Sequence, residues 1–460
     1  MKIRTLLISS ALLLCFVQEA LADNRTYILA TGRRDPRMYA IDLQKALRPE
    51  NQGTPNAVVS RSKVALDRLD GRPLGDSANI AISEDGRTAY VVNHHGAVEN
   101  DEFLQHGGRG NIAVMDIRRM IDPRNDNTAR ALERHIDSGH FGAVGVVLLK
   151  DMFIIGNAES HLTEDGGNRI SFVDRRTGSL RHMVELAVGD PKDPLRACPP
   201  FPVPFVSPNG PPSPVALLSP HPTWGCFPDP NGITLAATRL GKRYLYTANG
   251  GTDDVSVIDL DMALAGHKTP ELARIPTQIG PWGIATSPNG RYVVAANRES
   301  QKVAFEGNTV SLIDVDVDPF KEARRLMVGT SDPNVQTRPF IPSFTPDGRE
   351  IVVPNFRSNN VSIVNLEKAL RGDADAEVAR IPLTRADGRP ARPKGSAVTS
   401  NGRYAVISAG PRVTSVPFVP SGYVYIIDLR TRTVVGTVTG IGNDPYGLAV
   451  VDVRGGDDDD

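Results

Sequence analysis

Short apolar runs of similar pattern recur along most of the chain. The pattern apolar-x-apolar-apolar-Asp/Asn occurs seven times, and each occurrence predicts a short strand that ends in a turn-forming residue. A fixed pattern repeated at intervals indicates a repeat architecture rather than a series of unrelated domains. The seven copies are MYAID (38–42), IAVMD (112–116), ISFVD (170–174), VSVID (255–259), VSLID (310–314), VSIVN (361–365) and VYIID (424–428).

Three further strands accompany most copies. A run ending in Asn, such as YLYTAN (244–249), precedes the copy, and a turn such as SPNGR (287–291) precedes that run. Asn-Gly or Asp-Gly between two apolar runs favours a hairpin. Another strand before the turn begins with Pro-x-Gly or a variant, as in PWGIATS (281–287), and a fourth follows the Asp, as in TRTVVGTVTG (431–440). Four antiparallel strands repeated seven times predict an all-β, seven-bladed β-propeller.

The two ends of the chain predict how the ring closes. TYILATG (26–32) reads as the second strand of the first blade, which then lacks an innermost strand, and DPYGLAVVDV (444–453) reads as an innermost strand with no blade of its own. We expect the C-terminal strand to complete blade 1 and remove the open sheet edges. The propeller then spans residues 23–454, and the acidic tail at 455–460 is expected to be disordered.

The N-terminus predicts export from the cytoplasm. Basic MKIR, an apolar run at 6–17 and Ala20-Leu21-Ala22 form a secretory signal peptide over residues 1–22. That run is too short for a membrane anchor, and no later stretch approaches the roughly 20 apolar residues of a spanning helix. We therefore expect a mature chain that starts near Asp23, does not insert into a membrane, and resides in the periplasm or outside the cell.

Two cysteines remain after removal of the signal peptide. Cys198 and Cys226 lie in one proline-rich insertion at 190–230, where an oxidising compartment favours a disulfide. Their spacing excludes a C-x-x-C zinc or redox pair, and the chain has no C-x-x-C-H motif for covalent haem. A net charge of −1 and a pI near 6.8 argue against nucleic acid as a partner.

At this point the repeat resembles a known family. YTAN (246–249) followed by VSVID, with the Pro-x-Gly and SPNGR elements, is similar to the YVTN family of β-propeller repeats found in secreted and periplasmic proteins. The resemblance covers nearly the whole mature chain. It implies the propeller fold, but its members include lactonase-like enzymes, cofactor-associated proteins, zinc-binding chaperone-like proteins and plain scaffolds, so it does not decide the function.

Histidines gather where a propeller would bring its loops together. The loop between the second and third strands and the segment leading into the innermost strand open on one face. GHFGAVG (139–145) aligns with GPWGIAT (280–286), which puts a histidine in the place of the repeat's proline. The residues predicted on this face are His94, His95 and His106 in blade 2, His140, Glu159 and His161 in blade 3, and His221 in the insertion before blade 4.

Imidazoles that converge from separate loops are typical ligands of zinc or copper, with Glu159, or a carboxylate from Glu99, Asp101 or Glu102, as an oxygen ligand. Four ligands would close the site, and three would leave a position for water or substrate. The alternatives are a polar pocket without metal, or histidines collected by chance in long loops. His94 and His95 are adjacent and point in opposite directions, so one of them at most faces the channel.

Cations are predicted on the far side of the same face. Arg298 in blade 5 and Arg357 in blade 6 stand at positions equivalent to His94 and His95. Guanidinium groups there could hold an anionic ligand. The alternative is that both are solvated charges at the rim.

The sequence favours a periplasmic propeller that binds zinc, copper or a small ligand at the top of the channel, as a carrier or accessory factor. The first alternative is an enzyme, either a metal-dependent, lactonase-like hydrolase with Glu159 as the base or a cofactor-linked oxidoreductase. The second is a scaffold that binds another periplasmic protein. The chain lacks a G-x-S-x-G nucleophile motif and a Gly-rich phosphate loop after a strand.

Overall fold

The computed structural model describes residues 25–33, 35–64, 68–69, 72–73, 77–94, 109–158, 167–188, 227–299, 306–411 and 421–453. These residues form seven four-stranded antiparallel sheets arranged as the blades of a propeller. The predicted all-β, seven-bladed fold is therefore confirmed. A small hairpin of β4 (Arg68–Leu69) and β5 (Arg72–Pro73) lies outside the seven sheets.

The blades are numbered in chain order, and their strands are given from the inner to the outer edge. Blade 1 contains β30 (Leu448–Val453), β1 (Arg25–Thr31), β2 (Arg37–Asp42) and β3 (Val58–Lys63). Blade 2 contains β6 (Ser77–Ile82), β7 (Thr88–Asn93), β8 (Arg109–Asp116) and β9 (Leu132–Phe141). Blade 3 contains β10 (Ala143–Leu148), β11 (Met152–Asn157), β12 (Arg169–Asp174) and β13 (Leu180–Glu185). Blade 4 contains β14 (Pro230–Ala237), β15 (Arg243–Asn249), β16 (Asp254–Asp259) and β17 (Glu271–Pro276). Blade 5 contains β18 (Pro281–Thr286), β19 (Tyr292–Glu299), β20 (Glu306–Asp314) and β21 (Glu322–Met327). Blade 6 contains β22 (Ser343–Phe344), β23 (Glu350–Asn355), β24 (Asn360–Asn365) and β25 (Glu377–Pro382). Blade 7 contains β26 (Pro393–Val398), β27 (Tyr404–Ala409), β28 (Gly422–Asp428) and β29 (Thr433–Ile441).

All seven repeated motifs form third strands, and the Asp or Asn that ends them has a local role. In four blades this residue is the N-cap of a short helix, and the Asp42 carboxylate accepts the N–H of Lys45 at 2.9 Å. In the described part of the chain, no helix has the length and apolar character needed to cross a membrane. The helices are α1 (Leu43–Ala46), α2 (Ile117–Ile121), α3 (Leu260–Leu264) and α4 (Leu366–Arg371), with 3₁₀ turns at Pro49–Asn51 and Pro123–Asn125.

The hydrophobic core lies between the blades. Side chains alternate between the two faces of a strand, and both faces are covered because each blade packs against two neighbours. In β1, Leu29 packs with Val91 of blade 2, whereas Ile28 packs with Val424 of blade 7. The position of each blade therefore depends on both of its neighbours.

The ring closes as the sequence predicts. The C-terminal strand β30 pairs with β1 in antiparallel register, with Tyr27 opposite Val451 and Leu29 opposite Ala449. Blade 1 thus combines the first and last described segments of the chain. This closure brings residues just before β30 to the mouth of the channel.

Candidate functional site at the channel mouth

The innermost strands begin on the face of the ring where the second strands end. In blade 5, Pro281 pairs with Asn297, and the N–H of Arg298 donates to the carbonyl of Gly280 at 3.1 Å. We call the residue before the first paired position the lead-in residue and the residue after that position the rim residue. The same backbone bond links Gly250 to Asp229 in blade 4, Phe356 to Arg338 in blade 6, and Gly410 to Arg392 in blade 7.

The rim residues differ strongly between blades. Ala78 of blade 2 and Val144 of blade 3 are buried together and contact Trp282 of blade 5, so rim residues of separate blades meet at the channel. The mouth therefore has an apolar side, and the remaining blades supply polar, charged and aromatic groups. In blade 1, where pairing begins only at Leu448, the alignment of Asp444-Pro445-Tyr446 with Gly280-Pro281-Trp282 gives the equivalent positions. In the order of blades 1 to 7, the rim residues are Tyr446, Ala78, Val144, Asn231, Trp282, Phe340 and Lys394.

The glycine of the Pro-x-Gly element allows neighbouring rim residues to approach each other. A Cβ on Gly395 would lie 2.0 Å from the carbonyl oxygen of Tyr446, and a Cβ on Gly283 would lie 2.4 Å from that of Phe340. Both distances are far below van der Waals contact, so any larger residue would push the adjacent blade away.

The predicted alignment at blade 3 is wrong by three residues. Ala143 pairs with Asn157, and it therefore takes the position that Pro281 occupies in blade 5. His140 lies near the end of β9, the outermost strand of blade 2, in which Phe141 pairs with Arg109. The segment 139–145 contains the spacing Gly-x-x-Gly twice, and the sequence alone does not show which copy begins the blade.

Two of the predicted metal ligands lie in the described part of the chain. His94 is buried, with Nδ1 3.2 Å from the carbonyl oxygen of Ala143. Nε2 of His140 lies 2.6 Å from a guanidinium nitrogen of Arg169, which places a cation where a metal would bind. The other residues predicted on this face lie outside the described residues; they are His95, His106, Glu159, His161 and His221. The two cysteines of the predicted disulfide, Cys198 and Cys226, and the predicted signal peptide also lie outside them.

Within the described residues, no group of three or more His, Cys, Asp and Glu side chains is arranged to hold a metal ion. His94, which follows β7, and His140, near the end of β9, both lie on the face where the second strands end. The zinc or copper site therefore stays a prediction, and it depends on residues that the structure does not describe.

A buried ion pair joins blade 7 to blade 1. Nζ of Lys394, the rim residue of blade 7, lies 2.6 Å from a carboxylate oxygen of Asp444, the lead-in residue of blade 1, and both side chains are 2% exposed. Nζ also donates to the carbonyl of Gly410. Arg33 lies 3.6 Å from the second oxygen of Asp444. Burial lowers the pKa of Lys394 to about 8, although Asp444 acts in the opposite direction.

A chain of ion pairs runs along blades 5 and 6. Arg298 lies 2.6 Å from Glu299, which lies 2.5 Å from Arg338; Arg338 in turn lies 2.8 Å from Glu306, and Arg357 reaches Glu306 at 3.0 Å. Burial lowers the pKa of Arg298. Burial alone would raise the pKa of Glu299, but Arg298 and Arg338 together lower it below its usual value. Nε of Arg298 is buried without a hydrogen-bond partner among the described residues.

Aromatic rings lie between these two groups of charges. The ring centroid of Phe340 is 5.1 Å from that of Tyr446, 6.1 Å from Phe356 and 6.2 Å from Trp282. The guanidinium carbon of Arg298 lies 4.2 Å from the Trp282 centroid and 4.4 Å from that of Phe340. Such cation–π contacts partly replace the water that the buried cation has lost.

The described side chains leave this side of the mouth with surplus positive charge. Lys394 and Arg33 both contact the carboxylate of Asp444. The second network contains three arginines and two glutamates. Burying a cation without a counter-charge is costly, so an anion in the mouth would be stabilised.

Arg298 and Arg357 were among the predicted site residues, whereas Lys394, Asp444 and Tyr446 were missed. A usable signal was present, because most blades begin with a lead-in residue, a proline and a rim residue. Aligning these triplets shows that charged and aromatic residues concentrate there. They are Asp229-Pro230-Asn231, Gly280-Pro281-Trp282, Arg338-Pro339-Phe340, Arg392-Pro393-Lys394 and Asp444-Pro445-Tyr446.

No family model and no curated protein matches the chain. Among solved structures, the periplasmic gluconolactonase of Pseudomonas aeruginosa is 14% identical, with a TM-score of 0.58 over 93% of this chain and 99% of its own. A putative 6-phosphogluconolactonase of Bacteroides uniformis is 15% identical, with a TM-score of 0.54 over 93% of this chain and 100% of its own. One from Bacteroides fragilis is 14% identical, with a TM-score of 0.55 over 94% and 99%.

These similarities show the fold. The chain is a seven-bladed β-propeller, and its structural neighbours include lactonase-like propellers. Membership of the YVTN repeat family stays a prediction, since no family model matches.

Proposed function

We propose that the protein is a β-propeller that binds a small molecule bearing a carboxylate or phosphate group at the mouth of its channel. The main support is the buried Lys394–Asp444 pair with Arg33 beside it. The neighbouring network adds three arginines, Arg298, Arg338 and Arg357, to only two glutamates, so the mouth is rich in cations. The anionic group of a ligand would be stabilised beside them.

The surrounding groups suit a ligand of this class. A guanidinium can donate two parallel hydrogen bonds to a carboxylate or phosphate. The rings of Trp282, Phe340 and Tyr446 offer an apolar wall for a carbon skeleton, and pockets for small molecules commonly combine such walls with a few polar groups. Gluconate and 6-phosphogluconate are suitable probes, because the structural neighbours are named for lactones of these acids.

Binding is favoured over hydrolysis because the carboxylates described at the mouth are engaged in ion pairs. Glu299 lies between two arginines that lower its pKa, and Asp444 lies 2.6 Å from the ammonium of Lys394. A general base works best when its pKa is near the working pH. A lactonase-like activity is therefore the alternative, and it would need a base from outside the described residues, such as Glu159.

The N-terminal sequence supports the place of binding. The signal peptide predicted over residues 1–22 favours a protein of the periplasm or the cell exterior, and we propose that it acts there as a carrier or accessory factor. A metal site built on His94 and His140 is a second proposal for the same face, and its test is given below.

Isothermal titration calorimetry with sodium gluconate and 6-phosphogluconate tests the proposal. We expect the wild type to bind at least one of them, with an affinity that falls as salt is added. Arg298→Met should weaken binding at least about tenfold, because it removes a charged hydrogen-bond donor. Arg349→Met is the matched control, since the Arg349 side chain is 82% exposed and lies beyond the turn between β22 and β23, on the opposite face.

The same proteins should be assayed with glucono-lactone. We expect hydrolysis no faster than the spontaneous reaction. Wild-type turnover that Arg298→Met abolishes would favour the lactonase alternative, and a wild type that binds neither acid would contradict the proposal.

A further inference from the structure

Arginines in an unfavourable backbone conformation gather at the mouth. Among the described residues, four arginines have positive φ, and three of them are at the mouth: Arg33 at 39°, Arg338 at 54° and Arg392 at 59°. The fourth, Arg432 at 58°, lies in the turn between β28 and β29. Positive φ is uncommon for residues other than Gly, Asn and Asp, because the Cβ crowds the backbone.

The other lead-in residues show that an arginine is not needed there for folding. Asp229 and Asp444 occupy this position in blades 4 and 1, with φ of 52° and 64°, and Gly142 occupies it in blade 3 with φ of 68°. Aspartate and glycine tolerate the left-handed region better than arginine does. An arginine at the lead-in position is therefore maintained at a cost to stability, and such costs are concentrated at functional sites.

Backbone hydrogen bonds hold Arg392 in place without its side chain. Its N–H donates to Oδ1 of Asn359 at 3.0 Å, and its carbonyl accepts the N–H of Gly410 at 3.3 Å. A glycine or asparagine at position 392 could make both bonds. The side chain can thus be changed while the strand arrangement is kept.

The side chains of Arg338 and Arg392 lie near the same ring but differ in their partners. Their guanidinium carbons lie 4.9 Å and 5.0 Å from the centroid of Phe356. Arg338 contacts the carboxylates of Glu299 and Glu306. Arg392 is half-buried and forms no ion pair within the part of the chain that the structure describes.

We propose that Arg392 is the residue that binds the anionic group of the ligand and so selects carboxylates or phosphates. This inference rests on the proposed function, since it assigns one contact within that site. Lys394 already donates to Asp444 and to the carbonyl of Gly410, and Arg338 is held by two glutamates. Arg392 differs from both because no ion pair or side-chain hydrogen bond within the described residues occupies its guanidinium, and Phe356 lies beneath it.

The test compares Arg392→Gly with Arg392→Asn and with Arg432→Gly. Both substitutions at position 392 suit a positive φ and remove the charge of the side chain. Arg432→Gly replaces another arginine of positive φ by glycine, but in the turn between β28 and β29, away from the mouth. We expect both Arg392 variants to bind sodium gluconate and 6-phosphogluconate at least about tenfold more weakly than the wild type. Their melting temperatures should fall by no more than about 3 °C, and Arg432→Gly should bind like the wild type.

The outcomes separate this inference from the proposed function. If the wild type binds and both Arg392 variants bind within twofold of it, Arg392 is not the contact and the proposed function stands. If affinity falls in both variants together with a larger fall in melting temperature, Arg392 is structural and the inference is overturned. If the wild type binds neither acid at millimolar concentrations, both proposals are overturned.

Discussion

Lys394 and Asp444 form an ion pair of 2.6 Å in which both side chains are almost completely buried. Asp444 stands in the segment that leads into β30, the strand that closes the ring, and Lys394 stands at the start of β26 in the adjacent blade. The junction that closes the ring is therefore also a deeply buried part of the candidate site. Stability and ligand binding should be coupled at this pair.

The first prediction concerns the contribution of this ion pair to the free energy of unfolding. Lys394→Met should lower the free energy of unfolding by roughly 3 kcal/mol, because it leaves Asp444 buried with Arg33 as its remaining ionic contact. Adding Asp444→Asn should restore most of that loss, since it removes the isolated charge. Urea denaturation of the single and double variants measures both effects. Losses that simply add in the double variant would contradict the ion pair.

The second prediction concerns stability and pH. The pKa of Lys394 is about 8 in the folded protein and 10.5 as its ordinary value, so between these values the unfolded chain binds more protons at this site. The free energy of unfolding should therefore gain a rising contribution as the pH goes from about 8 towards 10. Buried Tyr446, whose pKa is raised by burial, opposes this trend above pH 10. Urea denaturation at several pH values should show the rising contribution in the wild type and not in Lys394→Met.

The third prediction concerns binding and pH. Neutral Lys394 attracts an anion less strongly, so gluconate affinity should fall as the pH rises through about 8. Calorimetric titrations of the wild type and Lys394→Met across this range provide the comparison. The variant should bind weakly and with little dependence on pH. A wild-type affinity that stays constant to pH 9.5 would argue against a role for this ammonium.

The fourth prediction concerns closure of the ring. Deleting residues 443–460 removes β30 and leaves β1 with an open, apolar edge. The truncated protein should aggregate or melt at a lower temperature, as size-exclusion chromatography and thermal denaturation would show. Deleting 455–460 alone keeps β30 and should have no effect. Equal behaviour of the two truncations would contradict the role of β30.

The fifth prediction concerns the metal hypothesis. If the histidine-bearing loops hold zinc, His94→Ala combined with His140→Ala should reduce zinc affinity at least about tenfold, as loss of ligands does. His135→Ala is the control, because His135 lies in the outermost strand β9 with Nε2 2.7 Å from the carbonyl oxygen of Val64. Titration of untagged protein with a competing chelator gives the affinities. Equal effects of the two changes, or no zinc binding by the wild type, would exclude these histidines as ligands.

The fold was predictable because its signals are local. The Asp that ends each third strand, such as Asp42 or Asp259, caps the backbone that follows it, and Asn-Gly or Asp-Gly turns separate the first two strands. The alignment of His140 failed for the same reason, because a local Gly-x-x-Gly spacing occurs in two overlapping copies. Pairing of Ala143 with Asn157 decides between the copies, and that is a contact between strands.

The candidate site was predictable only in part because its properties arise between blades. Arg298 could be placed at the mouth by comparison with the repeat, but its burial depends on Trp282 and Phe340. Lys394 and Asp444 come together only when the ring is closed. Burial and pKa shifts of this kind depend on the packed assembly and not on the residues next in sequence.

The glycines that follow the rim residues allow neighbouring blades to approach closely at the mouth. Gly283 and Gly395 each leave room for a carbonyl group of the next blade where a methyl group would collide. A larger residue at either position would push two neighbouring blades apart. The other blades of the ring would then have to shift to accommodate this displacement. Because the charged networks span these same junctions, two residues without side chains help to fix the spacing of the charged groups at the mouth.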